Sequence, residues 1–172
     1  MSGLKSITCK AVTTVITSLL ITSFGESAIA APSQIEVTPT PQCSKELAFV
    51  LGEIKRHGGK NASLYHYTND ANQGYYGNPT NRVALLHIVM GGENDKTYNI
   101  MSSPVLMQSW ANRLVTSCLD VAVVSFGVWY TGWSEDFAIQ SNGKTIYRDC
   151  IDIEVARQLD KLPWNSTSWC EI

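Results

Sequence analysis

The amino-acid sequence predicts a single small α+β domain, in which two to three helices pack on a mainly antiparallel sheet and disulfides add stability. Residues 104–117 carry apolar side chains at steps of three and four, which is the period of an amphipathic helix. Residues 121–150 then supply β-branched and aromatic side chains, interrupted by two turn signals. A helix followed by a three-stranded meander, with an even number of cysteines outside the leader, favours this fold class.

An export signal is predicted at residues 1–30. Lys5 and Lys10 give a positive start, residues 11–24 form an uncharged apolar run, and Ala28-Ile29-Ala30 has the small residues that precede a cleavage site. A permanent membrane anchor needs about 20 apolar residues, and this run is shorter. We therefore expect a soluble secreted or periplasmic protein with no membrane attachment after cleavage. Its predicted parts are a flexible proline- and threonine-rich leader over residues 31–42 and a globular domain over residues 43–172.

The charge of the predicted mature chain argues against two classes of partner. The sequence has 13 basic and 15 acidic residues, and cleavage after Ala30 removes Lys5, Lys10 and Glu26, which leaves 11 and 14 and a net charge of −3. Nucleic acids and anionic membranes are bound by clustered lysines and arginines. The sequence contains no such cluster, so neither is an expected partner.

The first half of the domain predicts one helix and two strands. Leu47, Val50 and Ile54 share one helical face ahead of a pair of glycines, which is a typical helix stop. Residues 82–90 form an almost continuously apolar run that is too short for a buried helix and suits a central strand. The predicted elements are a helix over residues 43–57, an edge strand over 64–68, a loop over 69–81, a central strand over 82–90 and a polar connection over 93–97.

The second half begins with the best-defined helix of the sequence. Ser102 and Ser103 are candidate N-caps, and Pro104 follows at the first helical position. In the strand after this helix, Gly127 indicates a bulge or a close approach of another group. The predicted elements are a helix ending near residue 118, strands over residues 121–130, 136–140 and 145–150, a last helix over 151–162 and a tail over 164–172.

Four cysteines remain after removal of the leader. Two disulfides are the simplest interpretation for an exported chain, and three connectivities are possible. A zinc site would need closer cysteine spacing, so no metal or cofactor is predicted. A catalytic thiol is not predicted either, because it would leave one of the other cysteines unpaired. Because the two ends of a three-stranded meander lie at opposite ends of the sheet, we prefer the pairs Cys43 with Cys118 and Cys150 with Cys170.

No catalytic residues are predicted. The histidines, His57, His66 and His87, do not form a pair with metal-ligand spacing, and no serine-nucleophile or phosphate-binding motif occurs. Glu135 and Asp136 are adjacent on a predicted strand and point to opposite faces, so they cannot act together as acid and base. One enzymatic alternative stays open, a small secreted hydrolase that uses His66 or His87 with a carboxylate.

Aromatic side chains around one turn give the candidate ligand-binding site. Trp129, Tyr130 and Trp133 flank this turn, and Asp136 follows it. Flat rings beside a carboxylate are typical of sugar or peptide binding, although tryptophans in a small domain also fill the core. We therefore expect a non-enzymatic binding or interaction domain, with a glycan or an envelope protein as the partner. A disulfide-stabilised inhibitor is a third alternative.

A resemblance adds to this interpretation. Met101-Ser102-Ser103-Pro104 entering a helix, then Cys118, Val123 to Val128, Thr131 with Trp133, and a hairpin ending at Cys150 resemble small exported cyanobacterial proteins of unassigned function. The resemblance covers roughly residues 81–152 and implies a bacterial exported protein, without implying catalytic residues. The glycosylation triplets at Asn61 and Asn165 would matter only in a eukaryotic secretory route.

Overall fold

The computed structural model describes residues 40–67, 70–91 and 95–167. The predicted export signal, most of the predicted leader and Cys170 therefore lie outside the described residues. Within those residues the elements are, in chain order, α1 (Pro41–Arg56), β1 (Lys60–Tyr67), a 3-10 turn (Asp70–Asn72), β2 (Tyr75–Tyr76), β3 (Ala84–Gly91), α2 (Asp95–Met101), α3 (Pro104–Ser117), β4 (Val121–Val128), β5 (Ser134–Ile139), β6 (Thr145–Tyr147), β7 (Asp149–Cys150), α4 (Ile153–Ala156), β8 (Leu162–Pro163) and β9 (Ser166–Thr167).

The main sheet has five strands in the described part of the chain, in the order β1-β3-β4-β5-β6. Three of its pairings are antiparallel, and the meander β4-β5-β6 is one of the predicted features. Between β3 and β4, the helices α2 and α3 carry the chain back to the end of the sheet at which β3 begins. The central pair, β3 and β4, is therefore parallel. The predicted α+β class with a mainly antiparallel sheet is confirmed.

One face of the main sheet forms the core with α1 and α3. Val50 and Ile54 of α1 and Met107 and Leu114 of α3 are completely buried, as the helical periodicity predicts. On the sheet side they meet a buried layer that includes Phe126. Burying one such side chain contributes about 1.5–3 kcal/mol, so this interface is a major source of stability for the fold.

The helix starts follow the sequence signals, with one shift. Thr40 caps α1 by accepting a hydrogen bond from the backbone N–H of Cys43 at 3.2 Å, and Pro41 begins the helix two residues ahead of the predicted start. Pro104 begins α3 as predicted, whereas the N-cap residue Ser103 makes no side-chain capping bond.

The predicted bond between Cys43 and Cys118 is confirmed. It joins the first turn of α1 to the residue that follows α3, with the two Cα atoms 4.6 Å apart. Both cysteines are buried in the core. Cys150 is also disulfide-bonded, and its predicted partner, Cys170, lies outside the described residues.

Two predicted segments differ from the structure. Residues 95–97 of the predicted polar connection belong to the helix α2. This helix buries Thr97, Ile100 and Met101, but its other residues are mostly polar, so the sequence shows no simple apolar pattern there. The last helix is only α4, a single turn, because the apolar side chains that suggested it find no surface to bury against: Ile153 is 48 % exposed and Leu159 is 42 % exposed. The chain instead forms β8 on β2 and β9 on β7.

The short strands β2 and β8 form a separate two-stranded sheet, and Trp164 connects this segment to the end of β5. Trp164, which follows β8, donates a hydrogen bond from Nε1 to the backbone oxygen of Ile139 at 2.8 Å. Its own backbone oxygen accepts a hydrogen bond from Nε of the buried Arg148 at 3.0 Å. Among the described helices, none has the length and apolar character required to cross a membrane.

Candidate functional site

Three polar residues form a row across the main sheet. Phe126 of β4 faces α3, because its ring centroid is 6.1 Å from that of Trp110. Side chains alternate between the faces of a strand, so Ser125 lies on the opposite face, which we call the distal face. The register pairs Ser125 with His87 on β3 and with Asp136 on β5. His87, Ser125 and Asp136 therefore lie side by side on the distal face.

A cavity of about 310 Å³ lies over this row. Aliphatic side chains form much of its wall, and the polar groups and one indole occupy the rest. The lining residues are Leu85, His87 and Val89 from β3, Ser125, Gly127 and Val128 from β4, and Gly132, Trp133, Ser134 and Asp136 from the following turn and β5. We call this space the distal cavity.

Gly127 makes room for the imidazole of His87. A Cβ atom at residue 127 would lie 2.8 Å from His87 Nε2, which is closer than such atoms approach in folded proteins. This nitrogen is buried and has no hydrogen-bond partner in the described part of the chain. Burial lowers the pKa of His87 below 6.5, against a smaller raising effect of the Asp136 charge, so the imidazole is neutral at neutral pH.

Asp136 is paired with a buried arginine behind the cavity. Nη1 of Arg148 lies 3.7 Å from Oδ2 of Asp136, and the arginine side chain is 3 % exposed. The guanidinium carbon also lies 3.9 Å from the ring centroid of Tyr75 and 4.7 Å from that of Trp164. Burial lowers the pKa of Arg148, but an arginine remains charged in proteins. The charge of Asp136 at the cavity wall is therefore balanced by that of Arg148.

Glu135 fixes the orientation of the Trp133 indole. Nε1 of Trp133 donates a hydrogen bond to Oε1 of Glu135 at 2.8 Å, and the hydroxyl of Tyr147 donates to the other carboxylate oxygen. Burial, and then this hydrogen bond, raise the pKa of Tyr147 far above its usual range, so the hydroxyl keeps its proton. Tyr98 of α2 supports the indole, with the ring centroids 5.3 Å apart.

The four residues predicted to bind a ligand divide into two pairs. Trp133 and Asp136 line the distal cavity, whereas Trp129 and Tyr130 are not among its lining residues. Tyr130 is fully exposed and has a φ of 64°, and its ring centroid lies 5.7 Å from that of Trp129. The cavity also contains Ser125, which the sequence did not single out, because its pairing with His87 depends on the parallel register of β3 and β4.

Comparison with known proteins gives no relative. No family model matches the chain, and neither a curated protein nor a solved structure does. The resemblance to exported cyanobacterial proteins stays a prediction.

The row does not have the arrangement of a serine hydrolase. In such enzymes a carboxylate orients the histidine, and the histidine accepts the serine proton. Here Ser125 lies between His87 and Asp136, and Nε2 of His87 has no partner in the described residues. His87 pairs with Tyr65 on β1, and His66 pairs with Leu86, so the register does not place the two histidines opposite each other. The described residues also contain no group of three or more side chains that could hold a metal ion.

Proposed function

We propose that this protein is a non-enzymatic binding domain, exported from a bacterial cell, whose small ligand occupies the distal cavity. The observation that carries the proposal is the imidazole of His87, which is kept at the cavity wall with a buried and unpartnered nitrogen. Trp133, Ser134 and Asp136 line the same cavity and supply a flat ring and hydrogen-bonding groups. Such a combination of apolar walls and a few convergent polar groups is typical of ligand sites.

His87 is an unfavourable choice for stability alone. A buried polar atom without a hydrogen bond costs about 1–3 kcal/mol, and an aliphatic side chain at this position would avoid that cost. The neighbouring strand also accommodates the imidazole, because residue 127 is a glycine. A residue that lowers stability and is nevertheless accommodated in a cavity is best explained by a role in function.

Binding is favoured over hydrolysis by the order of the row. Hydrolysis by Ser125 would require a base in contact with its hydroxyl and a carboxylate behind that base. The register instead places Ser125 between His87 and Asp136 in the row, so the carboxylate residue does not follow the histidine. All three residues line the cavity in which we propose that the ligand binds.

Export is part of the proposal and has two supports. The first is the leader pattern of residues 1–30. The second is the presence of disulfide-bonded cysteines, which are typical of oxidising compartments. The mass of the protein recovered from the periplasm or medium of expressing bacteria tests this part, and we expect a chain that begins at Ala31. Retention of the full-length chain in the cytoplasm would contradict it.

The binding function is tested by screening a chemically diverse fragment library against the oxidised, isotope-labelled protein. We expect the fragments that bind to shift the indole N–H resonance of Trp133, and we expect the His87→Leu variant to lose these shifts. The Tyr130→Asn variant is the matched control, because residue 130 is fully exposed outside the cavity and asparagine tolerates a positive φ. A library that leaves Trp133 unshifted would contradict the proposal, as would ester or glycoside hydrolysis that the His87→Leu variant loses.

A further inference from the structure

The acidic charge in the lining of the distal cavity is balanced by a buried arginine. Among the described residues that line it, Asp136 is the one acidic side chain, and no basic side chain other than the neutral His87 is present. The guanidinium of Arg148, 3.7 Å away, supplies the opposite charge. A charged ligand would therefore find no unpaired opposite charge among the residues that line the cavity. The cavity is therefore suited to a neutral ligand.

The remaining polar groups suit a ligand that carries hydroxyls. The 3.7 Å ion pair leaves acceptor positions on the Asp136 carboxylate. Hydroxyl groups form short, strong hydrogen bonds to carboxylates, and this interaction requires no net charge on the ligand. Ser134, which lines the cavity beside Asp136, adds a hydroxyl that both donates and accepts.

The aromatic surface of the cavity is held in place before a ligand arrives. The hydrogen bond from Trp133 to Glu135 fixes the indole plane, and the Tyr98 ring packs 5.3 Å from it. Tyr98 is 62 % exposed, so the aromatic surface continues beyond the cavity. A rigid ring offers a large contact area at a small loss of conformational entropy.

We infer that the ligand of the distal cavity is a neutral saccharide, with one sugar ring stacked on Trp133 and its hydroxyls bonded to Asp136. A longer chain would continue from Trp133 onto Tyr98. This inference rests on the binding function proposed above, and it narrows the ligand to one chemical class.

The test compares tetrasaccharides that differ in charge. The oxidised protein is titrated with cellotetraose, maltotetraose and N-acetylchitotetraose, which are neutral, and with the tetramers of glucosamine and galacturonic acid, which are cationic and anionic. The readout is the indole N–H resonance of Trp133, assigned with the Trp133→Phe variant. We expect at least one neutral tetrasaccharide to bind, with an affinity that changes by less than about twofold between low and high salt, because no net charge is paired.

Two variants locate the bound sugar. Trp133→Ala should weaken binding of the neutral tetrasaccharide by about tenfold or more, because it removes the stacking surface. Tyr130→Asn should bind as the wild type does, because residue 130 is fully exposed outside the cavity. Equal losses in both variants would contradict the proposed position of the sugar.

The outcomes separate the two proposals. Binding of only a charged tetramer at Trp133, or binding that high salt abolishes, would overturn the neutral-saccharide inference and leave the binding function intact. Failure of every tetrasaccharide, when library fragments still shift Trp133, would also overturn the inference alone. Failure of both the tetrasaccharides and the fragments would overturn the binding function itself.

Discussion

At the scale of single residues, His87 and Gly127 depend on each other. The imidazole occupies the space that any side chain at residue 127 would need, with Nε2 only 2.8 Å from the position of a Cβ atom there. The glycine lies in a fully buried strand, so a methyl group there would contact the ring unless the imidazole moved toward the cavity. Residue 127 is therefore a glycine because of the adjacent His87 ring, and not because a turn needs a glycine there.

We predict that Gly127→Ala lowers the free energy of unfolding by about 1–3 kcal/mol, because the added methyl group overpacks against the imidazole. The loss should be much smaller in a His87→Ala background, since the clashing ring is then absent. Chemical denaturation of the two single variants and the double variant measures this coupling. Gly52→Ala is the control: it has open space around its Cβ position within α1 and should stabilise the protein by about 0.5–1 kcal/mol. If the changes in unfolding free energy of the two single variants simply added in the double variant, the contact between residues 87 and 127 would be contradicted.

The lowered pKa of His87 predicts the direction of a pH effect. The folded protein resists protonation of the half-buried imidazole, whereas the unfolded chain takes up the proton with a pKa of about 6.5. The unfolded state therefore binds more protons in acid, and the free energy of unfolding falls as the pH drops below about 6.5. Above that pH the contribution of His87 is constant.

We expect this part of the acid destabilisation to be missing from the His87→Leu variant. Denaturant unfolding of the wild type and the variant at about pH 7 and about pH 5 measures the difference. The stability advantage of the variant should grow toward the lower pH. An advantage that stays constant or shrinks would show that the folded protein accepts a proton at His87 without loss.

At the scale of secondary-structure elements, Arg82 connects the helix α3 to the start of β4. Its Nη1 donates hydrogen bonds to the backbone oxygen of Val115, in the last turn of α3, and to that of Val121 at 3.2 Å. The last carbonyl groups of a helix have no partners within the helix, so this guanidinium satisfies an otherwise open helix end.

Arg82→Met should lower the free energy of unfolding by about 1–3 kcal/mol, because the two carbonyl oxygens lose a charged donor. Arg113→Met is the matched control, since that guanidinium is 48 % exposed and pairs with Glu46 at 2.7 Å. An exposed ion pair contributes about 0–1 kcal/mol. Chemical denaturation of both variants provides the comparison, and a larger loss for Arg113→Met would contradict the assigned role of Arg82.

The elements that the sequence predicts well are those with a strong local pattern. The helix α3 carries an apolar face and a proline start, and β4 carries β-branched residues, so both are visible within about ten residues of sequence. The row of His87, Ser125 and Asp136 is not visible in that way. It depends on the parallel pairing of β3 with β4, which are separated by two helices, and a shift of one residue would turn each strand's side chains to the other face. Two residues of the distal cavity, Trp133 and Asp136, could be predicted because they lie close together in the sequence at one turn.

At the scale of the whole molecule, the bond between Cys43 and Cys118 closes a long loop. The two cysteines are separated by 75 positions, and the segment between them contains β1, β3, α2 and α3. A cross-link of this length restricts the unfolded chain strongly. Both cysteines are buried against the core, so their replacement by alanine keeps an apolar surface.

We predict that the Cys43→Ala/Cys118→Ala double variant loses about 4 kcal/mol of unfolding free energy, chiefly because its unfolded chain is less restricted. Denaturant unfolding under non-reducing conditions measures the loss. Wild-type protein should resist mild reductants until denaturant exposes the bond. A double variant as stable as the wild type would show that this disulfide does not stabilise the fold.

The unfolding free energy of the His87→Leu variant at about pH 7 tests whether His87 is kept for ligand binding and not for stability. We expect the variant to be more stable than the wild type by about 1 kcal/mol, because a buried and unpartnered nitrogen is replaced by an aliphatic group. A variant that is less stable than the wild type would show that His87 stabilises the fold, and would contradict its proposed role in binding.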